Sequence, residues 1–326
     1  VPTRRAVITT ALISAAWPTL ALGAVTAEPG VPPSDREWHV PVQGGRLYVR
    51  VNGDLRAKKP PLLMVHGGPG GALWQFFPAL PLATDRAIIL YDQLDSGRSD
   101  APGDPANWTV DRFVSEIDAI RTALGLERFH LLGHSWGGII ANRYAARRPK
   151  GLRSLILQGT PLSDRRLAAS VRSLYAALPD GAGAVIEAHE RAGTTDDPAY
   201  GKAMAAFMRR HLGRTSVKAV ALPYMQPTPE DRGDALAAAM TGGRIDGFQG
   251  LLKGFDDEAL LARIAVPTQL LCGQYDIMTP AATRAMLPRL KRGSMVALAD
   301  AGHMAQFDQP AAWRAAIAQF VAAHDG

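Results

Sequence analysis

Gly133-His134-Ser135-Trp136-Gly137-Gly138 reads as a strand that ends in a serine and turns at once into a helix. Phe129-His130-Leu131-Leu132, just before it, is a short apolar run of the kind a buried parallel strand needs. Just after it, Ile139-Ile140-Ala141 and Tyr144-Ala145-Ala146 fall at helical spacing. Small residues at 133 and 137 let the backbone fold tightly on either side of Ser135. A serine on such an elbow stands above the end of a sheet, where its hydroxyl is open to attack a substrate.

A hydroxyl is a poor nucleophile at neutral pH. It needs a base to take its proton, a carboxylate to orient that base, and donors for the oxyanion. In the fold that uses this elbow the partners follow in the chain order serine, acid, histidine. Leu270-Leu271-Cys272-Gly273 is an apolar strand ending in glycine, followed by Gln274-Tyr275-Asp276. Val296-Ala297-Leu298 is another short strand, followed by Asp300-Ala301-Gly302-His303. Asp276 and His303 therefore each sit just past the carboxyl end of a strand, where open α/β sheets place their ligand sites. Ser135, Asp276 and His303 are the expected triad. Leu62-Leu63-Met64-Val65 reads as a further buried strand, and His66-Gly67-Gly68-Pro69-Gly70-Gly71 follows it. Glycines there let backbone N–H groups approach a reacting carbonyl, so the amides of Gly68 and Trp136 are the expected oxyanion hole. His66 reads as a loop anchor. No cluster of Cys, His and carboxylates falls at metal-ligand spacing, so no metal or other cofactor is expected.

The remaining segments alternate between strand-like and helix-like patterns, which predicts an α/β fold with a mostly parallel sheet flanked by helices. Trp38 to Val42 and Arg46 to Val51 read as an opening hairpin around Gly44-Gly45, Val110 to Leu124 as a helix, and Leu152 to Leu157 as a strand. Ala311 to Val321 closes the fold as a helix. From Pro161 to about Ala265 the strand–helix rhythm stops, and the chain becomes Ala- and Arg-rich and helical in pattern. The expected organisation is a core over 28–160 and 266–326 with an inserted helical cap over 161–265. A chain of 326 residues, 47% hydrophobic, is long enough to bury such a core and its insertion.

Residues 1–27 carry a separate signal. Arg4-Arg5 precedes an apolar run from Ala6 to Ala24, interrupted by Pro18, and Val25-Thr26-Ala27 ends it. That order is a secretory leader, and paired arginines point to the twin-arginine route and a periplasmic or secreted product. An uncleaved leader acting as a membrane anchor is the alternative; the mature form is not expected in a membrane. Loss of the leader would lower the formal net charge of +6 by two. No basic run with interleaved aromatics argues for nucleic acid. Arg209, Arg210 and Arg214 read as a solvated face, and His189 and His211 as solvated or capping residues. Cys272, the one cysteine, reads as buried filler.

Taken together, His66-Gly-Gly-Pro-Gly, Tyr91-Asp92-Gln93-Leu94-Asp95-Ser96-Gly97-Arg98-Ser99, Gly133-His-Ser-Trp-Gly-Gly, Gly273-Gln-Tyr-Asp and Gly302-His303 resemble the proline iminopeptidase group of α/β-hydrolases. The resemblance runs over nearly all of 35–322. The segment from Asp92 to Ser99 is the most specific part; its role reads as scaffold, and Asp95 stands where the group has glycine. The resemblance implies removal of a free amino-terminal residue from a short peptide or small amide, with cap acids gripping the substrate's ammonium group. Here Ile245 falls where relatives carry a glutamate. Asp246 beside it, or Glu187 and Glu190 from an earlier cap helix, are the replacements. Gly67 and Tyr224 complete the set of expected substrate contacts. The loss of that glutamate keeps an esterase or lactonase acting on a neutral small molecule as the alternative, and a fold used only for binding as a third.

Overall fold

In the computed structural model residues 33–215 and 233–326 are described. The leader expected over 1–27 and the expected substrate contact Tyr224 lie outside the described residues. An eight-stranded sheet organises the chain: β1 (Arg36–Val42), β2 (Gly45–Asn52), β3 (Leu62–Val65), β4 (Ile88–Tyr91), β5 (Phe129–His134), β6 (Leu152–Gln158), β7 (Thr268–Gly273) and β8 (Gly293–Leu298). Their spatial order is β1-β2-β4-β3-β5-β6-β7-β8. β1 and β2 form the expected antiparallel hairpin, β2 runs antiparallel to β4, and every later pair is parallel.

β3, β4, β5 and β7 are buried along their whole length because helices cover both sheet faces. The period of two sends alternate side chains to opposite sides. Leu63, Val65, Leu131 and Leu155 join a layer with α1 (Val110–Leu124) and α2 (Trp136–Ala146), through Phe113, Ile117, Ile139 and Tyr144. Leu62, Met64, Leu132 and Ile156 face the other layer, made by the 3-10 turns of Leu73–Thr84 and the last helix, Pro310–Ala322, through Phe76, Leu80, Trp313 and Ile317. α1 keeps its expected bounds because both ends are capped. The Thr109 side chain accepts from Arg112 N, and Gly125 takes the left-handed conformation at φ 64°.

After β3 the chain first builds β4 on one side and then crosses to place β5 on the other. The strand order therefore reverses at β3, and the crevice between the carboxyl ends of β3 and β5 is the natural site. Between β6 and β7 the described residues include the helices α3 (Asp164–Ala176), α4 (Ala182–Ala192), α5 (Pro198–His211) and α6 (Gly233–Thr241). Two of them touch that same edge of the sheet. Gly233, opening α6, lies so close to Gly70 that a Cβ on either would strike the other's carbonyl. On α3, Ser170 Oγ donates to the carbonyl of Ile277, 2.6 Å away. No helix among the described residues is long and apolar enough to cross a membrane.

Candidate active site

Ser135 occupies the junction of β5 and α2 at φ 54°, ψ −120°. For a residue other than glycine this conformation costs about 1–3 kcal/mol and must be imposed by its surroundings. Ser135 N donates to the carbonyl of Gln158 at 2.8 Å, and Gly138 N donates to the Ser135 carbonyl at 2.9 Å. A Cβ at Gly133 would strike the Gly137 carbonyl, and one at Gly137 the Val65 carbonyl, so the tight turn needs glycine at both. Trp136 is the first helical residue, so its amide has no acceptor inside the helix. Its ring is fixed by Nε1–H donating to Gln93 Oε1 at 2.8 Å and by an edge-on contact with Phe113.

Asp276 is fully buried beyond β7. Its Oδ1 accepts from Met278 N at 2.9 Å and from His303 Nδ1 at 2.8 Å. It does not cap the helix at Pro280; Thr279 does, accepting from Ala282 N. A carboxylate only accepts, so the proton on His303 sits on Nδ1 and leaves Nε2 free to take one. Gly159 backs this pair at φ 53°, where a Cβ would lie 2.8 Å from His303 Nδ1 and 2.9 Å from Asp276 Oδ2. Because Gly159 follows Gln158, the acceptor for Ser135 N, one turn of backbone joins the serine to the acid–histidine pair. His134, adjacent to Ser135, packs its ring against that of His303 at 4.7 Å, tilted by 42°, and donates Nε2–H to its carbonyl at 3.1 Å. The structure thus brings the predicted Ser135, Asp276 and His303 to one corner of the sheet edge.

The loop after β3 packs against the serine. A Cβ at Gly67 would sit 3.1 Å from Ser135 Cβ and 3.0 Å from His134 Nδ1, and Gly67 N is taken by Gln75 Oε1 at 2.9 Å. Gly68, at φ 134°, holds a conformation that favours glycine. His66 anchors the loop as expected: Gln93 N donates to its Nε2 at 3.0 Å, and its Nδ1–H donates to the Gly67 carbonyl at 2.9 Å. Burial holds this imidazole neutral, its pKa pushed down to about 4.

A second feature lies among the helices between β6 and β7. A cavity of about 300 Å³ is lined by Arg172, Tyr175, Glu187, Glu190, Arg244 and Asp246, with Arg191 at its wall. Asp246, Glu187 and Glu190, named separately from sequence, share this one cavity, while Ile245 turns away to pack on the apolar core. Arg244 was not anticipated. Its Nε and Nη2 grip both oxygens of Asp246 at 2.8 and 2.7 Å, and Nη2 also reaches Glu190 at 3.0 Å. Burial, then the nearby charge of Asp246, raises the pKa of Glu190.

An α/β-hydrolase fold family model matches residues 60–310. The proline iminopeptidase of Levilactobacillus brevis is 35% identical over 299 residues, spanning 89% of this chain and 97% of the relative. The crystal structure of proline iminopeptidase from Mycobacterium smegmatis superposes with a TM-score of 0.82 at 31% identity, covering 89% and 99% of the two chains. That of VinJ gives 0.82 at 30% identity, covering 90% and 100%.

The chain belongs to the proline iminopeptidase family of α/β-hydrolases. It is accordingly a hydrolase, a serine peptidase-like enzyme.

In this iminopeptidase relative the segment from Asp92 to Ser99, read from sequence as scaffold, bonds well beyond its own turn. Asp92 accepts from Leu73 N and Arg98 N, Ser99 Oγ donates to the Asp92 carbonyl, and Gln93 Nε2 donates to the His66 carbonyl at 2.8 Å while its Oε1 holds Trp136. Asp95 takes the left-handed conformation at φ 62° and accepts from Gly103 N and Trp108 Nε1, which explains how an aspartate serves where the resemblance implies glycine. His211, expected as a solvated or capping residue, is instead buried. Its Nδ1–H donates to the Tyr275 carbonyl at 2.8 Å and its own carbonyl accepts from His303 N at 2.8 Å. Arg209, Arg210 and Arg214 are exposed, as expected, and Arg210 and Arg214 lie over the Tyr275 ring at 5.3 and 4.0 Å. None of these long-range partners has a local signature. His189 stands half-buried in the last turn of α4, with Nδ1 2.8 Å from Thr194 Oγ1.

Proposed function

We propose that this enzyme removes an amino-terminal residue, proline or a small one, from short peptides or amides through an acyl-enzyme on Ser135. The observation that carries the reading is the 2.8 Å bond from His303 Nδ1 to the buried Asp276 carboxylate, beside a serine held on a strained elbow. Ser135 Oγ attacks the scissile carbonyl while His303 Nε2 takes its proton. Asp276 keeps the imidazole oriented and stabilises it once charged. The amides of Gly68 and Trp136 receive the oxyanion. Collapse of the tetrahedral intermediate expels the amine, which takes the proton from His303. Water then attacks the acyl-enzyme by the same route and frees the amino acid. The name of the Levilactobacillus brevis relative supports the iminopeptidase specificity.

The helical stretch over 161–265 acts as the cap in this reading, excluding water and carrying the acids that receive the substrate's ammonium group, with Glu190 and Asp246 foremost. The leader over 1–27 would deliver the enzyme to the periplasm or beyond the cell. One observation favours a second reading, ester or lactone hydrolysis: Arg244 already pairs with both of those acids.

The test compares prolyl- and alanyl-arylamides bearing free amines with their N-acetylated forms and a short-chain nitrophenyl ester, with Ser135→Ala as the blank. Faster turnover of the free amines is the expected result. Ester turnover with no preference for the amine transfers the assignment to the second reading. Undiminished turnover by Ser135→Ala removes the serine mechanism, and failure of a serine-directed phosphonate to label the wild-type chain would leave a fold used only for binding.

A further inference from the structure

We propose that Arg244 sets substrate specificity as a built-in occupant of the cap cavity, a cation that holds the Glu190–Asp246 carboxylates and competes with a substrate's ammonium group for them. The inference rests on the proposed reading only in taking the cavity as the place where the amine would bind. The guanidinium uses two nitrogens on Asp246 and shares one with Glu190, so three ion-pair contacts at 2.7–3.0 Å are satisfied within the chain itself. A planar fork matched to a carboxylate in this way is the stronger form of such a pair. It is also short-range in sequence, since Arg244 and Asp246 stand two residues apart, so little chain has to be ordered to make it.

Tyr175, 2% exposed, lines the cavity beside Glu190. The cavity is mechanically joined to the triad loops. Tyr175 packs on Phe207 at 5.0 Å, Phe207 on His211 at 4.9 Å, and His211 bonds both the Tyr275 and His303 backbones. Ser170, five residues before Tyr175 on α3 and so about 7.5 Å along the axis, is bonded to the loop of Asp276. An incoming ammonium group meets a like charge already seated on its acceptors. A neutral amino terminus meets no such penalty. Arg244 thereby narrows the advantage that free amines would otherwise hold.

Calorimetric titration on the Ser135→Ala chain reads binding without turnover, with alaninamide as the cationic probe and N-acetylalaninamide as the neutral one. Adding Arg244→Gln should tighten alaninamide about tenfold, equivalent to about 1.4 kcal/mol, and leave N-acetylalaninamide unchanged. Adding Asp246→Asn as well should return alaninamide to its starting affinity. Unchanged or weaker alaninamide binding in Arg244→Gln overturns the proposal, as does equal tightening of both probes. Should Arg244→Gln fail to fold by circular dichroism, Arg244→Lys decides: it keeps the charge without the fork, and a gain of about two- to threefold for alaninamide alone is expected, no gain being fatal. The arylamide and ester rates of the wild-type chain report separately on the proposed function, so either idea can fail alone.

Discussion

The amide of His303 donates to the carbonyl of His211 at 2.8 Å, tying the loop of the proposed base to the end of α5. The next residue repeats the bond, Met304 N to the Leu212 carbonyl at 2.8 Å, and the His211 ring reaches the Tyr275 carbonyl beside Asp276. One helix terminus therefore positions both the acid and the histidine. His211→Ala should lower kcat roughly tenfold with KM little changed, since a shift of under 1 Å at a reacting group is enough for that. His211→Asn, which keeps an N–H for Tyr275, should recover part of the loss. Steady-state kinetics beside melting curves separates the cases, and a KM effect alone would show that α5 does not set the triad's geometry.

Gly159→Ala places a methyl group against His303 Nδ1 and Asp276 Oδ2 in a backbone conformation at φ 53° that alanine resists. The expected outcome is loss of activity by two orders of magnitude or more, with destabilisation of about 1–3 kcal/mol. Urea unfolding and the arylamide assay on one preparation check it. Full activity would mean the histidine can leave Asp276 without consequence.

Gln93 joins the strand end at His66 to the elbow at Trp136. Gln93→Leu leaves the Trp136 Nε1–H and the His66 carbonyl facing an apolar group in a site with no exposure. A cost of about 2–4 kcal/mol follows from two orphaned polar groups. Because Trp136 also presents the proposed oxyanion amide, kcat should fall along with the melting temperature. A variant as stable as the wild type would contradict this account.

Stability should decline as pH falls from about 6.5 towards 4. Burial depresses His66 and His130 to about 4, His134 well below its ordinary value, and His211 below it as well. Between the folded and unfolded pKa values the unfolded chain binds more protons, so each such group removes stability on acidification. For fully buried His66 the effect is on the order of 3 kcal/mol. Three carboxylates act the other way: burial raises Glu116 to about 7, Asp92 to about 6 and Glu190 above its ordinary value, and each favours the folded state as pH drops. Four depressed histidines against three raised acids leaves a net loss. A urea midpoint at pH 5 equal to or above that at pH 7.5 would refute it.

The strand and helix positions, the elbow and the order of Ser135, Asp276 and His303 were legible because each is written in a short stretch of chain. Apolar runs of strand length, glycines where backbone must approach backbone, and a polar residue just past each strand are local patterns with local causes. Asp276 and His303 could be placed at the right sheet edge before their 2.8 Å bond was seen, because parallel strands deliver their carboxyl ends to one side. Long-range pairing was decided only in the folded chain. Nothing near His211 in sequence announces that its carbonyl receives His303, 92 residues away along the chain. Nor does Gln93 announce Trp136. The cap acids show the division most clearly. Asp246, Glu187 and Glu190 could be named from the missing glutamate at 245, but their convergence on one cavity, and the guanidinium of Arg244 between Asp246 and Glu190, depend on how α3, α4 and the loop after α6 pack together. Periodicity and backbone preference act within a few residues, whereas a buried charge finds its partner only when tertiary packing removes the water that would otherwise satisfy it.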